Sequence, residues 1–194
     1  MQAIKVKLKL KSGGLLKKFA NTYGLMVILV TLIIALDQFT KTLVRSNLEF
    51  GQIWMPWEWL LPYARVIHIF NTGAAFGLFK GANTVFMILA VIVSCAIIYY
   101  FPSVSRKDWV IRVALSMQLA GALGNLIDRM TIGHVTDFVS VGNFPVFNVA
   151  DASITVGVGV LLIGMWVQEK REKKNRLAVE EDRLAIMEPS KKID

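Results

Sequence analysis

The chain has 194 residues, of which 55% are hydrophobic and 19% charged, with a formal net charge of +8. A mean hydropathy of +0.52 is too high for an ordinary soluble domain of this length and points to one membrane-embedded domain. The single Cys95 excludes an intrachain disulfide and any cysteine-rich metal centre, and two histidines, His68 and His134, argue against a histidine-based zinc site.

Residues 1–22 form a basic segment: Lys5, Lys7, Lys9, Lys11, Lys17 and Lys18 have no acid among them. A basic balance can mean a nucleic-acid partner. Here the lysines flank an apolar run, so membrane topology explains them and no nucleic acid is needed. That run, roughly Tyr23 to Val44, is too long for a signal peptide, holds Asp37 and Lys41, and lacks a small-x-small exit site. It reads as a retained first span. Asp37 and Lys41 are four apart and can pair on one helix face, either as a structural ion pair or as a hold on the outer loop or a substrate backbone.

The connection Arg45 to Asn83 carries Trp54, Trp57, Trp59, Tyr63 and Phe70 among Pro56 and Pro62. Alternation in Arg65–Phe70 predicts short strands, and tryptophan and tyrosine favour the headgroup level. A small sheet or cradle on the outer membrane face is expected. Asn71-Thr72-Gly73-Ala74-Ala75-Phe76-Gly77 reads as a turn into small residues that allow close backbone approach.

The second apolar run, Thr84–Phe101, has no charge over 18 positions, and Cys95 in its middle predicts a packing role. The third runs from about Trp109 to Ile127, with Arg112 near its start. Ala120, Gly121, Ala122 and Gly124 would let helices pack closely there. The Asn125 amide could hydrogen-bond across helices or to a peptide. Arg129 reads as a headgroup or loop anchor, with Asp128 fixing it. After a turn at Gly133-His134, Val135–Phe138 looks extended, and His134 reads as interfacial. The fourth run spans about Val149 to Val167, with Asn148 at a capping position. Asp151 stands in its first turn, where the helix dipole favours a carboxylate. Residues 168–194 form a charged tail of eight basic and seven acidic residues, a helical extension or a disordered one.

Each run is near the roughly 20 residues that cross a bilayer. Four spans put both termini on one side. The basic head, Arg106 and Lys107, and the cluster Lys170, Arg171, Lys173, Lys174 and Arg176 mark that side as cytoplasmic. The 1–2 and 3–4 connections then face outward. The expected fold is a mostly α membrane protein of four transmembrane helices with a small outward-facing β-like cradle between helices 1 and 2. It divides into the basic segment 1–22, a four-span domain 23–167 and the tail 168–194.

Asp137 and Asp151 stand 14 positions apart and bracket one outer connection beside Asn148. A carboxylate at the edge of hydrocarbon is costly, so it points to function. Two of them, brought together, could share one proton, one serving as base and the other as acid. That pairing suggests an aspartic protease at a membrane surface and needs no cofactor. A proton or ion carrier would instead place titratable groups deep in several helices. A non-enzymatic scaffold would leave the clustered acids unexplained.

Five segments in order, Asp37-Gln38-Phe39-Thr40-Lys41, Asn71-Thr72-Gly73-Ala74-Ala75-Phe76, Gly124-Asn125-Leu126-Ile127-Asp128-Arg129, Val135-Thr136-Asp137-Phe138 and Phe147-Asn148-Val149-Ala150-Asp151, resemble lipoprotein signal peptidase (signal peptidase II), a bacterial intramembrane aspartic protease. The resemblance covers about Tyr23 to Val167. It implies that Asp137 and Asp151 are the catalytic pair. Asn71, Asn125, Arg129 and Asn148 would line the site, and Asp37, Lys41, Gly73 and Asp128 would serve it more structurally. The implied substrate is a diacylglyceryl-modified prolipoprotein, cut just before the lipidated cysteine in the inner membrane, with membrane lipids around a monomer. The implied inhibitors are globomycin-like cyclic peptides.

Overall fold

The computed structural model describes residues 2–73 and 81–187, with side chains described from Lys17 to Leu184 and at Gly14. Met1, the Ala74–Phe76 part of the second motif and the end of the tail (188–194) lie outside the described residues. Four long helices carry the chain: α1 (Gln2–Asn47), α2 (Asn83–Tyr100), α3 (Trp109–Thr131) and α4 (Val149–Met187). Three short strands, β1 (Ile53–Trp54), β2 (Ala64–Asn71) and β3 (Val135–Val141), form one antiparallel sheet in the order β1-β2-β3.

All four helices contain a stretch long and apolar enough to cross a membrane. Helix formation there is dictated by the solvent: hydrocarbon offers no partner to a backbone N–H or C=O, so each span satisfies its own. The chain is thus a multi-pass membrane protein. Two helices run well past the bilayer. With 46 and 39 residues, α1 and α4 are about 70 and 60 Å long at 1.5 Å per residue, against about 30 Å of hydrocarbon. The lysine-rich head is therefore continuous with the first span, and the charged tail is helical through Met187.

Helix α3 is the central element. In its apolar stretch 61% of the residues are buried, against 6% in that of α1. The small residues explain why. A Cβ on Gly121 would run into the Ala150 carbonyl oxygen and lie 2.6 Å from Ile154 Cγ1, so α4 packs directly on the backbone of α3. At Gly124 a Cβ would stand 2.8 Å from Asp37 Oδ2 and 3.2 Å from the Ala150 methyl. A Gly121→Ala replacement is expected to destabilise the protein by about 1–3 kcal/mol through this overpacking. A thermal melt in detergent would read it as a lowered midpoint, and an unchanged midpoint would mean that the helices separate freely.

At one end of the bundle Met26, Ile97, Phe101, Val104, Ile111, Leu115 and Leu119 form an apolar cluster. Arg112 is buried beside it, over the Phe101 ring, and donates to the backbone carbonyls of Val104 and Thr22. Arg106 reaches the neighbouring Asn21 carbonyl, and Arg171 pairs with Asp108. These arginines tie α1, α3 and α4 together at that end. The outer faces of α1, α2 and α4 are exposed and apolar, as a lipid-facing surface is. Cys95 lies on that exposed face of α2. The expected packing role is thus corrected: hydropathy marked the helix as embedded without giving the direction of the side chain.

The opposite end holds the sheet. Phe50, Trp54, Trp57, Trp59, Tyr63 and Phe144 are exposed around it. The strand expected at Arg65–Phe70 extends one residue each way, with a bulge between Val66 and Ile69. Gly133 follows α3 at φ +80°, a conformation that favours glycine, and turns the chain into β3. Beyond β3 the chain folds back, and Phe147 bridges to Val139. That return delivers the start of α4 to the sheet.

Candidate active site

The site begins with strand register. Ile69 pairs with Asp137 and Asn71 with Val135, so Asn71 and Asp137 are diagonal neighbours on one face of the β2–β3 pair. Asn71 Nδ2 donates to Asp137 Oδ2 at 2.8 Å, and Asn71 Oδ1 accepts the Gly73 N–H at 2.9 Å. The asparagine thereby holds both the carboxylate and the turn that follows its strand.

The start of α4 supplies the second carboxylate. Asn148 Oδ1 accepts the Asp151 N–H at 2.9 Å, and Asp151 Oδ2 accepts the Asn148 N–H at 3.3 Å. This reciprocal pattern is a capping box, formed here by asparagine and aspartate. Asp151 does serve the helix start, as position alone predicts, but its other oxygen is spoken for as well. Asn125 Nδ2, from α3, donates to Asp151 Oδ1 at 2.7 Å.

Asn148 joins the two halves. Its side chain is fully buried, and Nδ2 donates to Asp137 Oδ1 at 2.7 Å, to Asn125 Oδ1 at 3.2 Å and to the Thr136 carbonyl at 3.4 Å. One residue therefore holds Asp137 by its amide nitrogen and caps the helix turn of Asp151 by its amide oxygen. Asp137 is only 2% exposed. Burial, then the nearby Asp151 charge, push its carboxyl up from 3.8 to about 7, with Asn71, Asn148 and Lys41 pulling the other way. A carboxyl that holds its proton near neutrality beside a second carboxylate is arranged for acid–base work.

Beneath the pair lies a buried ion cluster. Lys41 Nζ stands 2.9 Å from Asp37 Oδ2, 3.1 Å from Asp128 Oδ2 and 2.9 Å from Asn125 Oδ1. Asp37 and Lys41 therefore pair as their spacing predicts. Asp37 Oδ1 also accepts the Ala150 N–H of α4 at 2.9 Å. Asp128 does not hold Arg129, which corrects the expectation from sequence. It turns inward to Lys41, approaches Arg45 at 3.6 Å, and accepts from Gln38 and from the Thr136 N–H. Adjacent residues on a helix diverge by about 100°, so neighbours in sequence rarely share a face. Arg129 instead lies over the Phe86 ring, 5.3 Å from its centroid, and donates to the Gly73 carbonyl at 3.3 Å.

All ten residues singled out from sequence thus fall at one end of the bundle. Asp137, Asp151, Asn71, Asn125 and Asn148 form one hydrogen-bonded set, and Asp37, Lys41 and Asp128 a second set joined to it through Asn125. Gly73 and Arg129 stand beside them. Three participants were not singled out: Gln38, which donates to Asp37, Asp128 and the Gly124 carbonyl; Thr136; and Arg45. Gln38 and Thr136 sit next to aspartates in the motifs, and that adjacency was the available signal.

A family model described as Signal peptidase (SPase) II matches residues 29–167. A lipoprotein signal peptidase of Halalkalibacterium halodurans is 40% identical over 158 residues, covering 78% of this chain and 97% of that protein. One of Shouchella clausii is 37% identical over 152 residues, covering 76% of this chain and 97% of that protein. A bacterial membrane enzyme solved by the in meso method at 2.3 Å superposes with a TM-score of 0.70 at 30% identity, covering 76% of this chain and 91% of the other. The chain belongs to the signal peptidase II family, the membrane peptidases that remove signal peptides from prolipoproteins.

Proposed function

We propose that the chain is an aspartic endopeptidase whose catalytic pair is Asp137 and Asp151. The observation that carries this reading is the asparagine-lined pair itself. Both carboxylates are aligned by amide donors, and Asp137 keeps its proton to about pH 7. The ionised member takes a proton from water, and the protonated member donates to the scissile carbonyl oxygen. The substrate is a prolipoprotein whose cysteine carries diacylglycerol, cut just before that cysteine. Arg129 and Asn71 border the pair and present donors to a peptide carbonyl. The exposed aromatic rim rests at the headgroups while the acyl chains stay in the bilayer.

By the distribution of Lys and Arg, both termini are cytoplasmic and the pair faces the outer side of the membrane. The unit 23–167 is the peptidase, flanked by cytoplasmic arms 1–22 and 168–194. It works as a monomer, and globomycin-like cyclic peptides block it by occupying the peptide path. Purified protein is expected to cleave a diacylglyceryl prolipoprotein and to leave its unlipidated precursor intact. No cleavage of the lipidated form by folded protein would overturn the reading.

The pH dependence follows from Asp137. One proton on the pair is required, so activity is expected to fall as pH rises through about 7, where Asp137 ionises. Stability falls in the same direction. The folded carboxyl titrates above its unfolded value of 3.8, so the penalty for charging it is absent below that value and grows through about 7. Asn71 donates to the ionised form and opposes the rise, so Asn71→Ala is expected to move the alkaline limb to higher pH. A pH–rate profile of the two proteins measures this directly, and an unmoved limb would show that another group sets it.

A further inference from the structure

Lys41 is fully buried, and its ammonium has three N–H donors and no acceptor. All three are used, by Asp37 Oδ2, Asp128 Oδ2 and Asn125 Oδ1. Two of these partners are carboxylates and would hold the cation without help. The third is a neutral amide, and it is the same amide that serves Asp151 and Asn148.

An asparagine amide has an acceptor edge and a donor edge, and rotation by half a turn exchanges them. With the present orientation Asn125 offers its oxygen to Lys41 and to Asn148, and its NH2 to Asp151. The reverse orientation would press an NH2 against the ammonium and an oxygen against the Asp151 carboxylate. Both contacts would be lost inside a buried site, where unpaired polar groups are costly. We propose that Lys41 is a positioning residue for the catalytic pair: clamped between Asp37 and Asp128, it sets the orientation of the Asn125 amide, and through that amide it aligns both Asp151 and Asn148.

The clamp is rigidly seated. Asp37 is tied to the Ala150 N–H, one residue before Asp151, and Gly124 leaves no side chain where the Asp37 carboxylate sits. Asp128 is tied to the Thr136 N–H, one residue before Asp137. The cluster thus touches the backbone beside each catalytic carboxylate as well as the amide between them. The bond from Lys41 to Asn125 ties α1 to α3 and, in the same contact, fixes the amide that donates to Asp151.

This inference rests on the aspartic-peptidase reading, and the two fail differently. Cleavage by Asp137→Asn or Asp151→Asn protein would end that reading, whereas variants of the Lys41 cluster bear on how the pair is positioned. Removing Lys41 by itself strands two buried carboxylates, so the test uses Lys41→Met together with Asp37→Asn and Asp128→Asn. The full-length protein is purified, its melting followed, and kcat and KM measured on a diacylglyceryl prolipoprotein.

Positioning predicts a folded protein with kcat lowered on the order of 10²-fold and KM little changed, because Lys41 is too deep to touch substrate. Adding Asn125→Ala is then expected to cost little more, since both changes break the same relay. A folded variant with kcat near that of the parent would overturn the proposal. So would full additivity with Asn125→Ala. If the triple variant does not fold, Lys41→Met with Asp128→Asn leaves Asp37 on its Ala150 anchor and is judged by the same criteria. Failure of both sets to fold would assign Lys41 to the fold alone and overturn the proposal.

Discussion

Asp137→Asn and Asp151→Asn proteins are each expected to lose cleavage of a diacylglyceryl prolipoprotein by about 10⁴-fold or more, the upper range for loss of a general acid or base. The two are not redundant. One member has to be ionised to activate water while the other donates a proton, and an amide can do neither. Their effects on stability should stay within about 1–3 kcal/mol, well short of the loss in activity. Asp137 already holds a proton up to about pH 7, so a neutral amide there resembles its native state in charge. The amide does set an NH2 against one of the two donors, Asn71 or Asn148, that now share the carboxylate, a mismatch of about 1–3 kcal/mol. Cleavage on a gel, beside a melting curve for each protein, separates chemistry from folding. Normal cleavage by either folded variant would remove the dyad.

Asn148→Ala is expected to lower both activity and stability, and Asn148→Ser to separate the two. Asn148 Oδ1 caps α4 through the Asp151 N–H, and loss of such a cap costs about 0.5–2 kcal/mol. A serine hydroxyl can accept the same N–H, so the serine variant should regain most of that stability. It cannot also reach Asp137 and Asn125 as Nδ2 does. Activity is therefore expected to stay down on the order of 10²-fold in both variants, as for a misplaced catalytic group. The loss of a donor to Asp137 should also carry the alkaline limb of the serine variant above about 7. Recovery of full activity with serine would mean that the cap alone matters and that the bridge to Asp137 is incidental.

The spans were legible because hydrocarbon imposes one requirement on every residue it surrounds. Runs such as Thr84–Phe101 carry no charge, and their helices follow closely, α2 covering Asn83–Tyr100. The strand at Arg65–Phe70 was legible from alternation, and the cap at Asn148 from residue type and place. The five motifs named the residues that the structure gathers at one end of the bundle. Hydropathy carries no azimuth, however. It could not say that Cys95 faces outward or that α3 is enclosed by its neighbours.

By itself, then, the sequence determined the medium, the number of crossings, the cradle and the chemical identity of the candidate site residues. These depend on local composition and short spacing, which each segment carries independently. Tertiary structure alone decided the partners. Asp37 bonds Ala150 across 113 positions, Lys41 bonds Asn125 across 84, and Asn71 bonds Asp137 across 66. It also decided that Asp128 turns to Lys41 and not to Arg129, and that burial beside Asp151 raises the Asp137 carboxyl. The physical reason is common to all of them. Hydrogen-bond geometry and the energy of a buried charge depend on what the rest of the chain brings within about 3 Å, and that is set by how α1, α3, α4 and the sheet pack together.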